Sequence, residues 1–500
     1  MMTVVGNILA NVAGTGLGMV AFLAVVPVYL RLLGPEAYGL VGLFTTVMLA
    51  AAALDLGLGA TLNREAARTT AQADGAAALA DVAVTLHAAC WAVGIAACAL
   101  FALGAPAVAT RWLNFSALAP AEVRGALALM GVALPALIVR GFYLAGLNGL
   151  QRQGVANVVV LGGTLTRAAV TVTALHAVAP TPAVFFITQT VLFYVEVAVL
   201  AGALRGCLPV VARGGRIRPA TVRPVLAFSA GIAGTTMLGL TLMAMDQIVL
   251  SAVLPLAEFG YYTLAIAVAG VLGQVVHPVT TAVYPRFSQL FERGDARGAA
   301  EDYHFFSQLV AIVVLPLGAL LVFFPADVLG LWTRDPEVVR HAATVLSVRA
   351  LGTALNTLMH VPHVVQLAFG WSMLGARVNA IAVLIVAPAT VVLSRVGGAP
   401  GAALAWAGLN AGILLFAMAR MHRRVLPGEL PRWYGQLLLP AVAVALVGAG
   451  ARATMPEALG FVARLAWLAA TGTLAAAAAV AAAGTVRRRV VAAASAGLSA

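Results

Sequence analysis

Tyr38-Gly39, directly after a first apolar span, is echoed 221 residues later by Phe259-Gly260, directly after another. The same offset carries Asp74 to Asp295 and Asp81 to Asp302, while Ala13-Gly14-Thr15 returns as Ala233-Gly234-Thr235 and Asn157 as Asn379 with a slip of one residue. Chance matches would scatter. An offset that wanders by one residue over so long a stretch is the mark of a duplicated helical bundle with small loop insertions. Two similar halves facing each other across a cavity are how many secondary transporters achieve alternating access.

The chain is 62% hydrophobic and 10% charged, with a mean hydropathy of +0.99. A soluble domain carries about 25% charged residues, so the solvent here is a bilayer. Each crossing needs about 20 apolar residues, and because lipid cannot satisfy backbone polar groups those crossings are helices. The expected class is all-α and polytopic. The N-terminal apolar stretch lacks a basic n-region and contains Asn7 and Asn11, so it reads as the first membrane helix and not as a cleaved signal peptide. Cys90, Cys98 and Cys207 form neither a disulfide framework nor a C-x-x-C metal motif.

Apolar runs predict helices near 4–30, 39–61, 80–104, 125–147, 155–178 and 182–204, then near 224–253, 262–281, 305–325, 341–366, 374–394 and 400–420. Two further runs, near 435–451 and 460–484, have no earlier counterpart. The reading is about 14 transmembrane helices: a six-helix lobe over 1–204, a basic linker over 205–223, a second six-helix lobe over 224–422, and an extra helix pair with a cytoplasmic tail over 423–500. All 30 basic residues are arginine, and most lie in the loops after even-numbered helices and at the C-terminus, which places both termini in the cytoplasm. An even number of helices per repeat makes the copies parallel, related by an axis along the membrane normal. The arginines of the linker read first as an anchor on anionic lipid headgroups and only second as a ligand site.

No phosphate-binding loop of the G-x-x-x-x-G-K-[ST] type occurs. Gly14-x-x-x-Gly18 lies within a membrane helix, where it is a close-packing surface. The informative features are polar stripes. Arg349, Thr353, Asn356, His360 and His363 fall on one face of a continuous helix. Asn7, Asn11, Gly14 and Gly18 form another, as do Asn157, Thr164, Arg167 and Thr171; Gly231, Thr235, Gly239 and Asp246; and Gly270, Gln274, His277, Thr281 and Tyr284. Together they suggest a shared hydrated cavity. Ionisable groups at mid-membrane cost roughly 2.5–3.5 kcal/mol on insertion scales, which singles out Arg140, Arg167, Arg349, Asp246 and Glu196, with Asp55 nearer a helix end. Two readings stand: these charges pair internally, or the arginines bind an anion such as phosphate while Asp246, Glu196 and Asp55 serve ion coupling. His277, His360 and His363 are packing residues or proton relays. Pro135, Pro278 and Pro362 are expected to kink their helices.

Asn11 to Arg68, with Pro27, Arg31-Leu32-Leu33-Gly34-Pro35-Glu36-Ala37-Tyr38-Gly39, Leu54-Asp55-Leu56-Gly57-Leu58-Gly59 and Asn63-Arg64, resembles the opening of bacterial polysaccharide-transport proteins. These are the Wzx-like flippases of the multidrug/oligosaccharidyl-lipid/polysaccharide (MOP) exporter superfamily. Ala282-Val283-Tyr284-Pro285-Arg286-Phe287-Ser288-Gln289-Leu290 is similar to that family's loop after the eighth helix. The resemblance implies a V-shaped pair of lobes in the inner membrane. It implies flipping of an undecaprenyl-pyrophosphate-linked oligosaccharide into the periplasmic leaflet through a cationic cavity, with ion coupling and no cofactor. By type and depth Arg140, Arg167, Arg349, Asn356 and His360 suit that cavity. The expected partners are the lipid-linked oligosaccharide, membrane lipids and polysaccharide polymerase machinery, with no nucleic acid. Fourteen helices also match the lipid II flippase branch, whose last pair helps receive the lipid tail. The rival is a cation-coupled drug or metabolite exporter of the same fold. A major-facilitator transporter is disfavoured because its usual loop motif is absent from Asn63 to Arg68, and a membrane enzyme because the loops leave no room for a catalytic domain.

Overall fold

The computed structural model describes residues 2–55, 57–69, 76–207, 215–217 and 237–489, and among them every regular element is helical. In order these are α1 (Met2–Ala53), α2 (Leu58–Thr69), α3 (Ala76–Ala107), α4 (Pro120–Gly149), α5 (Gln153–Ala177), α6 (Pro182–Cys207), α7 (Met237–Val253), α8 (Leu256–Glu292), α9 (Ala296–Phe323), α10 (Pro325–Thr333), α11 (Pro336–Leu358), α12 (His360–Ala368), α13 (Ser372–Gly412), α14 (Met418–Val425), α15 (Leu430–Ala453) and α16 (Phe461–Ala482). Ten stretches among the described residues are long and apolar enough to cross a membrane. The chain is therefore a multi-pass membrane protein. Asp74, most of the 205–223 linker, Gly231 and Thr235 lie outside the described residues, as do the side chains of Asn7 and Asn11.

Ten stretches carry twelve of the fourteen expected segments, the seventh being represented by the shorter α7 and the tenth by α11 and α12, and glycines and prolines account for much of the difference. In α1 the first and second spans run together through Gly34 (φ 80°), which bends the helix just before Pro35. In α13 the eleventh and twelfth do the same through Gly398 (φ 57°). Two expected spans are broken instead. The run near 39–61 ends at Ala53, because Gly57 takes φ 75°, and α2 restarts at Leu58. The run near 341–366 is interrupted at Met359, where α11 ends and α12 begins. Pro362 has no N–H to offer the Leu358 carbonyl one turn back, which removes a bond across that junction. By contrast α4 and α8 continue through Pro135 and Pro278 without interruption.

Packing divides the chain into two units, Met1–Gly260 and Tyr261–Ala500. In the first, α4 is the central helix, with sixteen buried residues, and it packs on α2, α3 and α6. Gly94 brings α3 so close to Pro135 that an added Cβ would lie 2.7 Å from its Cα. In the second unit, α15 and α16 pack against α9. Val444, Ala475 and Ala479 form an apolar seam with Ile312, Leu315 and Ala319. Polar contacts fasten this pair at both ends. At one, buried His304 on α9 meets Gln436 and Glu429, both at 2.6 Å, while Gln308 accepts the Thr485 N–H at 2.9 Å. At the other, Asp327 on α10 meets Arg452 at 3.1 Å and Arg464 at 3.4 Å.

The repeat-related aspartates occupy matching places. Asp81, near the start of α3, accepts the backbone N–H of Arg216 at 2.7 Å. Asp302, near the start of α9, accepts from Arg286 at 3.0 Å and from Arg489 at 2.7 Å.

Candidate functional site

Three of the ionisable residues singled out from the sequence converge in the first unit. Arg140 on α4, Arg167 on α5 and Glu196 on α6 form one cluster, in which Arg140 Nε donates to Glu196 Oε1 at 2.7 Å and Arg167 Nη1 donates to Oε2. The Glu196 side chain is 2% exposed, against 12% for Arg167 and 23% for Arg140. The carboxylate thus sits deepest, with one guanidinium on each oxygen. Two positive charges share one negative charge, which leaves the triad one charge positive within apolar helices.

The neighbours of the triad explain its geometry. Gly163 on α5 faces Glu196, and a Cβ there would approach the carboxyl group to 2.9 Å. A glycine at this place lets α5 and α6 close over the carboxylate. The Arg167 guanidinium lies 4.4 Å from the centroid of the Phe193 ring, a cation–π distance, and its Nη2 reaches Thr164 Oγ1 at 3.4 Å. One turn further along the same stripe, Thr171 accepts from Gln189 at 3.1 Å. The α5 stripe is therefore a polar seam against α6. Glu196, expected among the coupling carboxylates, is here the counter-ion of both arginines.

The remaining candidates lie elsewhere. Asp246 is buried on α7, and the next residue, Gln247, accepts a hydrogen bond from Thr46 at 2.7 Å. Asp55 sits in the break between α1 and α2, where both its oxygens accept the Gly59 N–H at 3.1 Å. That is a cap on the first turn of α2. In the second unit, buried Arg349 on α11 lies 4.2 Å from the centroid of the Trp406 ring on α13. Asn356 donates to Asn410 at 2.8 Å, and Asn410 donates to the Trp406 carbonyl at 2.9 Å. The break at Met359 takes His360 and His363 out of the continuous stripe that an unbroken helix would give, with His363 exposed. The α8 stripe, Gln274, His277, Thr281 and Tyr284, is exposed throughout.

Sequence reasoning missed Phe193, Gly163 and Trp406. Phe193 had a readable signal, since it lies three residues before Glu196 and so on the same helical face. Trp406 had none, because the spacing between Arg349 and its partner is set by tertiary packing. The cluster of Tyr303, His304, His422, Glu429 and Trp433 was missed as well. Its members come from α9, α14, α15 and the residue that caps α15, Glu429, and Tyr303 meets His422 at 2.9 Å.

The chain is thus a helical, internally repeated membrane protein that holds a cationic triad between its apolar helices. The chain belongs to the polysaccharide biosynthesis protein family, whose model matches residues 4–291, and the MatE family model matches residues 232–392. Comparison with curated protein sequences finds no match. Among solved structures, the chain is similar to the lipid II flippase MurJ in an inward closed conformation, with 11% identity and a TM-score of 0.73 over 97% of this chain and 100% of that one. It is similar also to an inward-facing multidrug resistance MATE family transporter, with 13% identity and a TM-score of 0.71 over 83% of this chain and 96% of that one. A third is a MOP superfamily transporter from Pyrococcus furiosus, with 14% identity and a TM-score of 0.58 over 85% and 96%. At these identities the likeness is one of fold. Coverage of 97% takes in most of α15 and α16, because those helices of 24 and 22 residues far exceed the uncovered 3%.

Proposed function

We propose that the protein flips a lipid-linked oligosaccharide, carried on undecaprenyl pyrophosphate, from the cytoplasmic to the periplasmic leaflet of the bacterial inner membrane. The observation that carries this reading is the Arg140–Arg167–Glu196 triad, with two guanidinium groups on one buried carboxylate. Guanidinium forks suit phosphate oxygens, which they bind in pairs. A pyrophosphate entering the site would compete with Glu196 for both arginines, and Glu196 would then take a proton or face a coupling cation. Asp246 and Asp55 are the further coupling candidates, and Arg349, Asn356 and His360 the cavity residues contributed by the second repeat.

In this reading the lobes are residues 1–204 and 224–422, joined by the basic linker 205–223, with residues 423–500 as the added pair and tail. Both termini are cytoplasmic, by the placement of the arginines. Alternating access solves the physical problem of a headgroup too polar to cross hydrocarbon and a tail that need not leave it. A net positive triad disfavours export of cationic drugs. Lipid II, which shares the pyrophosphate, is the second reading, supported by the α15–α16 pair and the length of the MurJ-like match.

The test is a chromosomal deletion with lipid-linked sugars quantified by leaflet. Loss of the protein should accumulate lipid-linked oligosaccharide on the cytoplasmic face, and Arg167→Ala at normal expression should reproduce that accumulation. Unchanged pools with altered drug sensitivity would overturn the reading in favour of the exporter, and a block in peptidoglycan synthesis would redirect it to lipid II.

A further inference from the structure

The end of α3 and the start of α4 enclose a cavity that the triad does not use. Past Ala107, α3 widens into one turn of π-helix, Val108–Trp112, closed by the Leu113 N–H on the Val108 carbonyl at 3.0 Å. Such turns are rare, and they are frequent at functional sites. Thr110 on this turn walls a cavity of about 560 Å³, together with Asn114, Phe115, Ser116, Arg124 and Pro255. All of these residues belong to the first packed unit. The volume lies within the range of about 300–1,000 Å³ usual for small-molecule sites.

The walls are fixed before any ligand arrives. The buried carboxylate of Glu36 accepts three successive backbone N–H groups of the loop, from Ser116 at 2.5 Å, Ala117 at 2.6 Å and Leu118 at 2.8 Å. The Asn114 amide donates to the Ala252 carbonyl at 3.0 Å, which leaves its Oδ1 to accept, and the Thr110 hydroxyl donates to the Pro106 carbonyl at 2.9 Å, which leaves its oxygen to accept. Arg124 and the Ser116 hydroxyl have no ion pair or hydrogen bond among the described residues. Two carboxylates of this region are already occupied, Glu36 by the loop and Glu122 by the Ala119 N–H at 2.9 Å. The guanidinium therefore keeps its charge for a ligand.

We infer that this cavity is a binding site for a carboxylated sugar, with Arg124 on the carboxylate and Thr110, Asn114 and Ser116 on the ring hydroxyls. An arginine fork takes both oxygens of a carboxylate. Thr110 and Asn114 offer acceptors, which need a ligand rich in hydroxyl donors, and Phe115 and Pro255 supply apolar surface for the C–H face of a sugar ring. A lipid phosphate would engage the guanidinium alone and set its oxygens against those acceptors. In the orientation proposed above, the α3–α4 connection faces the periplasm, so the sugar bound here is one that has already crossed. Glu36 is a positioning residue, since it fixes the loop that carries Asn114 and Ser116 without lining the cavity itself.

The inference rests on the flippase reading for the source of the sugar, and its test needs no transport. The full chain in nanodiscs, where both faces meet solvent, is titrated by ligand-detected NMR with methyl glucuronoside, methyl glucoside and glycerol phosphate. The glucuronoside should bind roughly tenfold more tightly than the glucoside, and Arg124→Gln should remove that preference, because a lost charge-assisted hydrogen bond is worth about a decade in affinity. Equal binding of the two sugars in the parent, or a preference that survives Arg124→Gln, overturns the site. Should that variant fail to insert, Ser116→Ala replaces it and should weaken both sugars roughly fivefold; an unchanged titration overturns the site as well. Glycerol phosphate bound as tightly as the glucuronoside would assign the cavity to a lipid headgroup, and binding lost in Arg167→Ala but kept in Arg124→Gln would assign it to the triad, so either result overturns the inference. Unchanged lipid-linked sugar pools on deletion of the protein would sink the flippase reading alone and leave the titrations to decide the cavity.

Discussion

Glu196→Gln is the substitution most diagnostic of the triad. The glutamine keeps the volume of the side chain and one carbonyl oxygen, so packing against Gly163 is preserved while both ion pairs are lost. Removing one partner from a buried pair costs about 3–5 kcal/mol. Arg140 is 23% exposed and recovers part of its share from water, and the new amide oxygen still accepts one hydrogen bond worth about 1 kcal/mol. The expected loss is therefore about 2–4 kcal/mol. It is measured as the free energy of unfolding by SDS titration in mixed micelles. Arg167→Met in the same chain removes one of the two stranded cations and keeps an apolar contact with Phe193, so the double variant should be more stable than Glu196→Gln alone. A single variant within about 0.5 kcal/mol of the parent, or a double variant whose loss equals the sum of the singles within the usual tolerance for independent sites, would refute the idea that Glu196 holds both arginines.

Asp327→Asn should loosen the far end of the helix pair, since Asp327 holds both Arg452 and Arg464; faster hydrogen exchange over 450–462 with no change near 430–436 is the expected pattern, and uniform protection would count against the two-ended fastening. Glu429 lies outside the spans, and although burial pushes its carboxyl upward, the hydrogen bond from His304 and the charge of Arg432 outweigh that and hold it below the usual range. A depressed carboxylate stabilises fully above the unfolded value of about 4.3 and loses that contribution as pH falls through the folded value. The gap in melting temperature between parent and Glu429→Gln should thus stay constant from pH 7 to about 5, begin to narrow near the unfolded value and close as pH falls through the folded one, whereas the absence of any gap at pH 7 would show that the ion pair contributes nothing.

What could be read from residues alone follows from the physics of the bilayer. Apolar runs of span length have to be helices, so the class, the helix order and the added pair were legible before any coordinates. Turn positions were less so. The bend at Gly34 and the breaks at Gly57 and Met359 depend on single backbone angles, and a hydropathy run passes over them. Arg140, Arg167 and Glu196 were legible as costly residues, but their convergence was not, because residues on α4, α5 and α6 meet through tertiary packing and not through any fixed spacing. Arg349 shows the same limit. Its stripe pointed along α11 toward the histidines, while its ring partner came from α13.

Asp81 and Asp302 bear on how such a chain could grow. Each sits at the same place in its copy and holds a piece of chain that leaves that copy: Arg216 after the first, Arg489 after the second. In the second copy, α15 and α16 intervene before the held segment arrives. The carboxylate thus works as a docking stud indifferent to how much chain precedes the piece it grips. A duplicated gene that already owned such a stud could accept two more membrane helices as an insertion and still tuck its trailing end back onto the bundle.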